Sequence, residues 1–230
     1  SLGKKAKIAA QNITSLDNIK KNIALENLIK NIGVNADKII EINQKDLEIA
    51  YKNNLSSPLI NRLKVSKDTI DGLIKSIDII RSLPDPIGKI LDEWTRPNGL
   101  KFKKISVPLG VIGVIYESRP NVTVDASCIS LKSGNALILR GGSDSFYTSE
   151  FLVKIISESF NNSGLPKNII QMIPTTNREA VDHLLQMTNY VNVIIPRGGK
   201  SLIKKIKSTS EIPVIKHLEG VCHIYVDNEA

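Results

Sequence analysis

Apolar residues shift their spacing along this chain, and each shift marks a different kind of element. Over residues 1–83 the spacing is helical. Ser15 is placed to cap a helix running to about Ile32 and Gly33, and a second helix is expected from about Asp37 to Asn53 around Ile39, Ile42, Leu47 and Ile49. Ser66 is placed to cap a third, with Ile70, Leu73, Ile74, Ile77 and Ile80 as its buried stripe. These helices carry no metal spacing, nucleophile arrangement or phosphate loop, so packing is their expected role. The prolines of Leu83–Gly88 (LPDPIG) close the region. From Lys89 to Val107 the pattern is strand-like, and Arg96-Pro97-Asn98-Gly99 between Ile90–Trp94 and Leu100–Val107 reads as a hairpin turn. Such a hairpin, with Phe102, Ile105 and Val107 along it, either offers an edge for self-association or folds back onto its own domain.

The stretch from Val107 to Gly142 is the centre of the pattern. Val111–Tyr116 is an apolar, β-branched run of strand length. Pro120 opens a helix, because its missing N–H is one that the first turn leaves unpaired anyway. Val122, Ala126 and Ile129 lie at helical spacing, and Gly134 stops the helix where a left-handed residue is wanted. Ala136–Leu139 is a second buried strand, followed by Arg140-Gly141-Gly142. Beyond it come a helix over Ser145–Asn162, a strand over Ile169–Ile173, a helix over Arg178–Met187, a strand over Val191–Ile195 and a helix from Lys200 to about Lys207. Val214-Ile215 and Cys222–Val226 are the last strand-like pieces. Alternating strands and helices predict an α/β fold with a mostly parallel sheet, helices on both faces and right-handed crossovers.

That fold class makes the ends of the strands chemically interesting, since ligands of open parallel sheets sit outside the carboxyl ends. Glu117, Ser118, Arg119 and Asn121 fall at the end of the first strand and Arg140 at the end of the second, along one rim. Pro196-Arg197-Gly198-Gly199 leads into the Lys200 helix, where close backbone approach, unpaired N–H groups and a partial positive charge could cradle a diphosphate. Arg197 and Lys200 would add charge; a plain tight turn accounts for the glycines equally well. The G-x-G-x-x-G dinucleotide pattern is absent.

Composition narrows the classes. A chain of 230 residues that is 41% hydrophobic and 23% charged is ordinary for a globular protein, and no apolar run reaches the length of a membrane span. No secretory leader is read at the start, and two cysteines cannot build a disulfide framework, so a reducing cytoplasm is expected. The net charge of +8 raises nucleic acid as a partner, but aromatics are 4% and none interleaves with a basic run. No nucleic acid and no membrane is the expectation, and the charge is assigned to solubility and to attracting phosphorylated small molecules.

Taken together, VPLGVIGVIYESRPNVTVDASCISLKSGNALILRGG, GLPKNIIQMIP, VNVIIPRGGKSLIKKI, PVIKHLEGVCHIYVD, LPDPIG and WTRPNG stand in an order that resembles the gamma-glutamyl phosphate reductase family of the aldehyde dehydrogenase superfamily, over essentially the whole chain. The resemblance implies a Rossmann-like sheet and NADPH-dependent reduction of gamma-glutamyl phosphate to glutamate-5-semialdehyde in proline biosynthesis, through a cysteine thioester. It places Arg140 at the adenosine ribose, where an arginine can fork onto a 2′-phosphate and favour NADP over NAD. It places Gly198 and Gly199 at the cofactor diphosphate, and Ser118, Arg119 and Asn121 where nicotinamide and substrate meet. His217 and Glu219 fall in the segment leading toward catalysis. Cofactor contacts are therefore expected from Glu117, Ser118, Arg140, Gly141, Gly142, Arg197, Gly198, Gly199, Lys200 and Glu219, and substrate contacts from Arg119, Asn121 and His217. Glu117 would either orient Arg119 as an ion pair or meet the substrate amine.

By the same resemblance residues 1–217 form an NADP-binding domain: helices over 1–83, an oligomerisation hairpin over 89–107 and a βαβ core over 108–217. Residues 218–230 open a catalytic domain whose nucleophilic cysteine lies further along in the family. Cys222 and its neighbour His223 would point to opposite faces of a strand and form no thiolate–imidazole pair. Cys128 falls on an apolar helix stripe, the setting of an inert thiol. His183 is expected on a helix surface. The chain is accordingly expected to be inactive by itself, either working with a separate catalytic-domain polypeptide, as half of a split enzyme, or persisting as a truncated, non-catalytic nucleotide-binding remnant. Self-association into a homo-oligomer is expected.

Overall fold

A computed structural model describes residues 1–216 and 225–228. The helices are α1 (Leu2–Ile13), α2 (Asn18–Val34), α3 (Ala36–Lys52), α4 (Ser57–Leu63), α5 (Lys67–Ser82), α6 (Pro120–Lys132), α7 (Phe146–Asn162), α8 (Glu179–Leu185) and α9 (Lys200–Thr209). The strands are β1 (Ile90–Thr95), β2 (Lys101–Ile105), β3 (Val111–Tyr116), β4 (Ala136–Arg140), β5 (Ile170–Met172) and β6 (Val193–Arg197).

β3 and β4 are buried at every position, which is why their sequences are continuous apolar runs and not alternating ones. They lie in a four-stranded sheet of order β5-β4-β3-β6, with all pairs parallel. Val114 stands opposite Leu139 on one side and Ile195 on the other. Two asparagines start the sheet. The side-chain Oδ1 of Asn135 accepts from Gly110 N–H at 2.9 Å, and that of Asn192 from Val111 N–H at 2.8 Å. The order β3, β4, β5 steps one way, and β6 then returns to the far side of β3. The sheet therefore switches direction between β3 and β6, and at such a point the loops at the carboxyl ends diverge and leave a crevice.

α1 lies against β3, β4 and β5, and Lys7 Nζ donates to the Asn189 carbonyl at 3.0 Å beyond α8. α6 packs on β3 and β4, α7 on β5, and α2, α3 and α5 form a further layer against α6 and α7. Gly134 sits at φ +69° and closes α6 with a left-handed residue, as the sequence predicts. Ser66 caps α5 in a reciprocal box with Thr69, a device whose loss costs about 1 kcal/mol. The cap of α2 is Asp17 and not Ser15. The Asp17 carboxylate accepts from Lys20 N–H at 2.7 Å, while Leu16 N–H closes back on Ile13 at the end of α1. A carboxylate also gains from the helix dipole. α4 was not legible, because seven residues carry no full stripe; Pro58 in its first turn is its one local signal.

The layers are joined by buried charge. Lys21, 1% exposed, donates to Asp85 at 2.8 Å, and Lys132, 3% exposed, donates to Asn18, Asn22 and the Arg81 carbonyl at 2.8–3.0 Å. Asp46 reaches from α3 to the start of α7, accepting from the Tyr147 and Thr148 amides at 3.1 and 2.8 Å. The hairpin β1–β2 is exposed at every residue, so it does not fold back onto the rest of the chain. Trp94 and Phe102 stack across it with centroids 5.4 Å apart. Among the described residues no helix is long and apolar enough to cross a membrane.

Candidate active-site crevice

At the switch point β3 and β6 run on past their last paired residues. Glu117 N–H donates to the Arg197 carbonyl at 3.2 Å, holding the two exits side by side. The next residue, Ser118, has φ +43°, a left-handed conformation unusual outside glycine, and it turns the chain from β3 into α6. The Ser118 hydroxyl donates to the Asp144 carboxylate, which tethers this turn to the short 3₁₀ segment Ser143–Ser145 after β4. Opposite, Gly199 is the N-cap of α9 and donates its N–H to Glu117 Oε2 at 2.9 Å. The carboxylate thus occupies a helix N-terminus, where negative charge is favoured.

These turns rim a cavity of about 810 Å³. Its wall is basic, with Arg62, Arg119, Arg140, Arg178, Arg197 and Lys205 against Glu117 and Asp144. Arg140 is the last residue of β4 rather than the first residue beyond it, and it is 8% exposed. Its guanidinium donates to the Gly141 carbonyl and, at 2.9 Å, to that of Thr176, while Nε is buried without a partner. Burial first, and then the charge of Arg178, hold its pKa below the ordinary arginine range. A buried cation with an unspent donor beside further cations is suited to a phosphorylated anion.

Of the residues singled out from sequence, Glu117, Ser118, Arg119, Arg140, Gly142, Arg197, Gly198 and Gly199 meet on this cavity. Gly141, Asn121 and Lys200 do not line it. Gly141 backs onto the Tyr116 phenol, which a Cβ there would meet at 3.1 Å, and Asn121 lies 3.4 Å from Asp125 within α6. His217, Glu219, Cys222 and His223 lie outside the described residues. Glu117 pairs with the Gly199 amide and not with Arg119. Cys128 is fully buried, and burial drives its thiol far above the ordinary range. His183 is on the surface, as expected.

The structure adds residues that the sequence reading assigned to packing or passed over. Leu55, Leu59 and Arg62 reach the cavity from the α4 region, and Asp144, Thr176, Arg178 and Lys205 from loops and helices of the sheet domain. Arg178 and Asp144 each stand within a few residues of a strand's carboxyl end, which was a usable signal. Arg62 had none, because the fold of the N-terminal layer alone brings it there.

Comparison with known proteins agrees with this architecture. The chain is 46% identical over 230 residues to a gamma-glutamyl phosphate reductase of Bartonella tribocorum, covering 100% of this chain and 56% of that protein. It superposes on the gamma-glutamyl phosphate reductase of Thermotoga maritima with a TM-score of 0.91 at 33% identity, covering 94% of this chain and 52% of that one. The enzyme of the same name from Saccharomyces cerevisiae gives a TM-score of 0.88 at 32% identity, covering 95% and 56%. The chain thus spans about half the length of the relatives it matches. The aldehyde dehydrogenase family model matches residues 4–230, and with the parallel sheet, its switch-point crevice and these likenesses, the chain belongs to the aldehyde dehydrogenase family.

Proposed function

We propose that this chain is the cofactor-binding part of an NADPH-dependent reductase that converts gamma-glutamyl phosphate to glutamate-5-semialdehyde. The observation that carries the reading is the convergence of a buried, donor-bearing arginine and a glycine-lined helix N-terminus on one basic cavity. In this reading Arg140 receives the 2′-phosphate, and Gly198, Gly199 and Arg197 face the diphosphate, while Lys200 does not line the cavity. Glu117, Ser118 and Gly142 shape the cofactor's bed, and Arg119 lies toward the substrate, while Gly141 and Asn121 do not line the cavity. Glu117 now holds the Gly199 amide. That N–H would be available to a phosphate only if the Glu117 carboxylate released it.

A nicotinamide bound here would supply the hydride, and the phosphate group of the acyl phosphate would leave as inorganic phosphate when its acyl carbon passes to the nucleophile. The protein's part is orientation and charge neutralisation: the basic wall offsets phosphate charge, and the left-handed Ser118, fixed by Asp144, sets the direction in which Arg119 projects. Cys128 is too deeply buried to carry an acyl group. We therefore propose that residues 1–217 act as the NADP-binding unit in the cytoplasm, that the thioester step depends on a domain other than the one described here, and that the exposed hairpin mediates self-association.

Fluorescence titration of the purified chain with NADPH and NADH in parallel tests the cofactor reading. Saturable binding with NADPH preferred is expected; failure to bind either removes it.

A further inference from the structure

Resting on the cofactor reading above, we propose that Arg178 joins Arg140 in a two-arginine subsite for a phosphomonoester, and that Arg178 sets the preference for NADPH over NADH. The two side chains are linked through one loop. Arg140 donates to the Thr176 carbonyl at 2.9 Å, two residues before Arg178, and both arginines line the same cavity. Arg140 is held nearly rigid by its two carbonyl acceptors, yet its buried Nε has no partner. Arg178 is exposed and, among the described residues, forms no ion pair.

The nearby acids are committed elsewhere, Asp144 to the Ser118 hydroxyl and Glu117 to the Gly199 amide. Two guanidinium groups therefore line one cavity, and burial first and then the charge of Arg178 depress the basicity of Arg140, with Asp144 and Glu117 acting the other way. The missing partner is an anion with several acceptor oxygens. A monoester dianion meets both charges and presents three acceptor oxygens, whereas each phosphate of a diphosphate bridge carries about one charge and has two ester-type oxygens. NADPH and NADH differ by one such monoester. Arg140 is the fixed half of the clamp and Arg178 the mobile half that closes over the phosphate.

The test is titration of the chain and its Arg178→Gln and Arg178→Lys variants with NADPH and with NADH. Arg178→Gln is expected to weaken NADPH binding about tenfold while leaving NADH within about twofold. Arg178→Lys, which keeps the charge and loses the fork, should fall between. Because Arg178 is exposed, circular dichroism should show both variants folded. Equal weakening toward the two nucleotides, or no change toward either, overturns the assignment while the cofactor reading stands. Absence of NADPH binding by the unsubstituted chain overturns both.

Discussion

Glu117 Oε2 lies 2.9 Å from the amide nitrogen of Gly199 and would lie 2.5 Å from a Cβ placed on Gly198. One carboxylate thus engages both positions: glycine at 198 leaves room for it, and the backbone N–H of residue 199 donates to it. Leu202 Cδ2 stands 2.7 Å from the same point, so the gap is closed on two sides.

Gly198→Ala is therefore expected to destabilise the chain by about 1–3 kcal/mol through crowding. In a Glu117→Ala background the penalty should shrink by at least about 0.5 kcal/mol, since one of the crowding atoms is gone. Urea denaturation of the four proteins gives the coupling. Additive effects would mean that the carboxylate does not define this loop.

Asp85 governs an acid limb of stability. Burial pushes its carboxyl up, but the Lys21 ammonium at 2.8 Å, the Ile87 amide at 2.9 Å and the charges of Lys21 and Lys132 outweigh burial and bring it below the ordinary range. A carboxylate depressed in the folded state contributes stability above the unfolded value of about 3.9 and loses it as pH falls through the folded value. Asp85→Asn should cost about 3 kcal/mol at neutral pH, by leaving Lys21 buried without its counter-charge, and should flatten the loss below about pH 4. Urea midpoints against pH measure both; identical acid slopes would assign that limb to another group.

Cys128 should behave as a reporter of unfolding. With 0% exposure and a thiol pushed far up by burial, it is expected to resist a maleimide in the native chain and to react once urea unfolds it. Peptide mapping after labelling identifies the cysteine directly. Prompt native labelling at Cys128 would contradict the packing of α6 against the sheet.

The hairpin can be probed through Trp94, the chain's single tryptophan. Phe102→Ala removes its stacking partner and should cost the hairpin about 0.5–1.5 kcal/mol. Trp94 emission should shift toward that of a water-exposed indole. The midpoint followed by far-ultraviolet circular dichroism should hardly move, because the hairpin is exposed throughout. A matching fall in global stability would show that the hairpin packs against the body of the chain.

Local signals account for most of what could be read before folding. The Val111–Tyr116 and Ala136–Arg140 strands, the Gly134 stop, the Ser66 cap and the Asn98-Gly99 turn are each specified by residues within a few positions of one another. Periodicity and backbone sterics act over that range. Alternation of strands and helices then implied a parallel sheet with a rim of Glu117, Ser118, Arg119, Asn121 and Arg140, of which Asn121 does not line the cavity, and the family resemblance supplied a ligand for it. The Ser15 cap was displaced because Asp17, two residues on, presents a better acceptor once the end of α1 has taken up the intervening backbone.

The tertiary structure alone decided who meets whom across that rim. Strand order is not written in any short stretch, yet it places β6 beside β3 and so sets Glu117 against Gly199, 82 positions away. It also brings Arg62 from the helical layer to a cavity that its own neighbourhood does not announce, and sets it in the same wall as Arg178 from the loop after β5. Sequence determines elements through interactions between near neighbours. The site depends on side chains whose proximity is created by burial of the sheet and closure of long loops, and that proximity exists only once the whole core has packed.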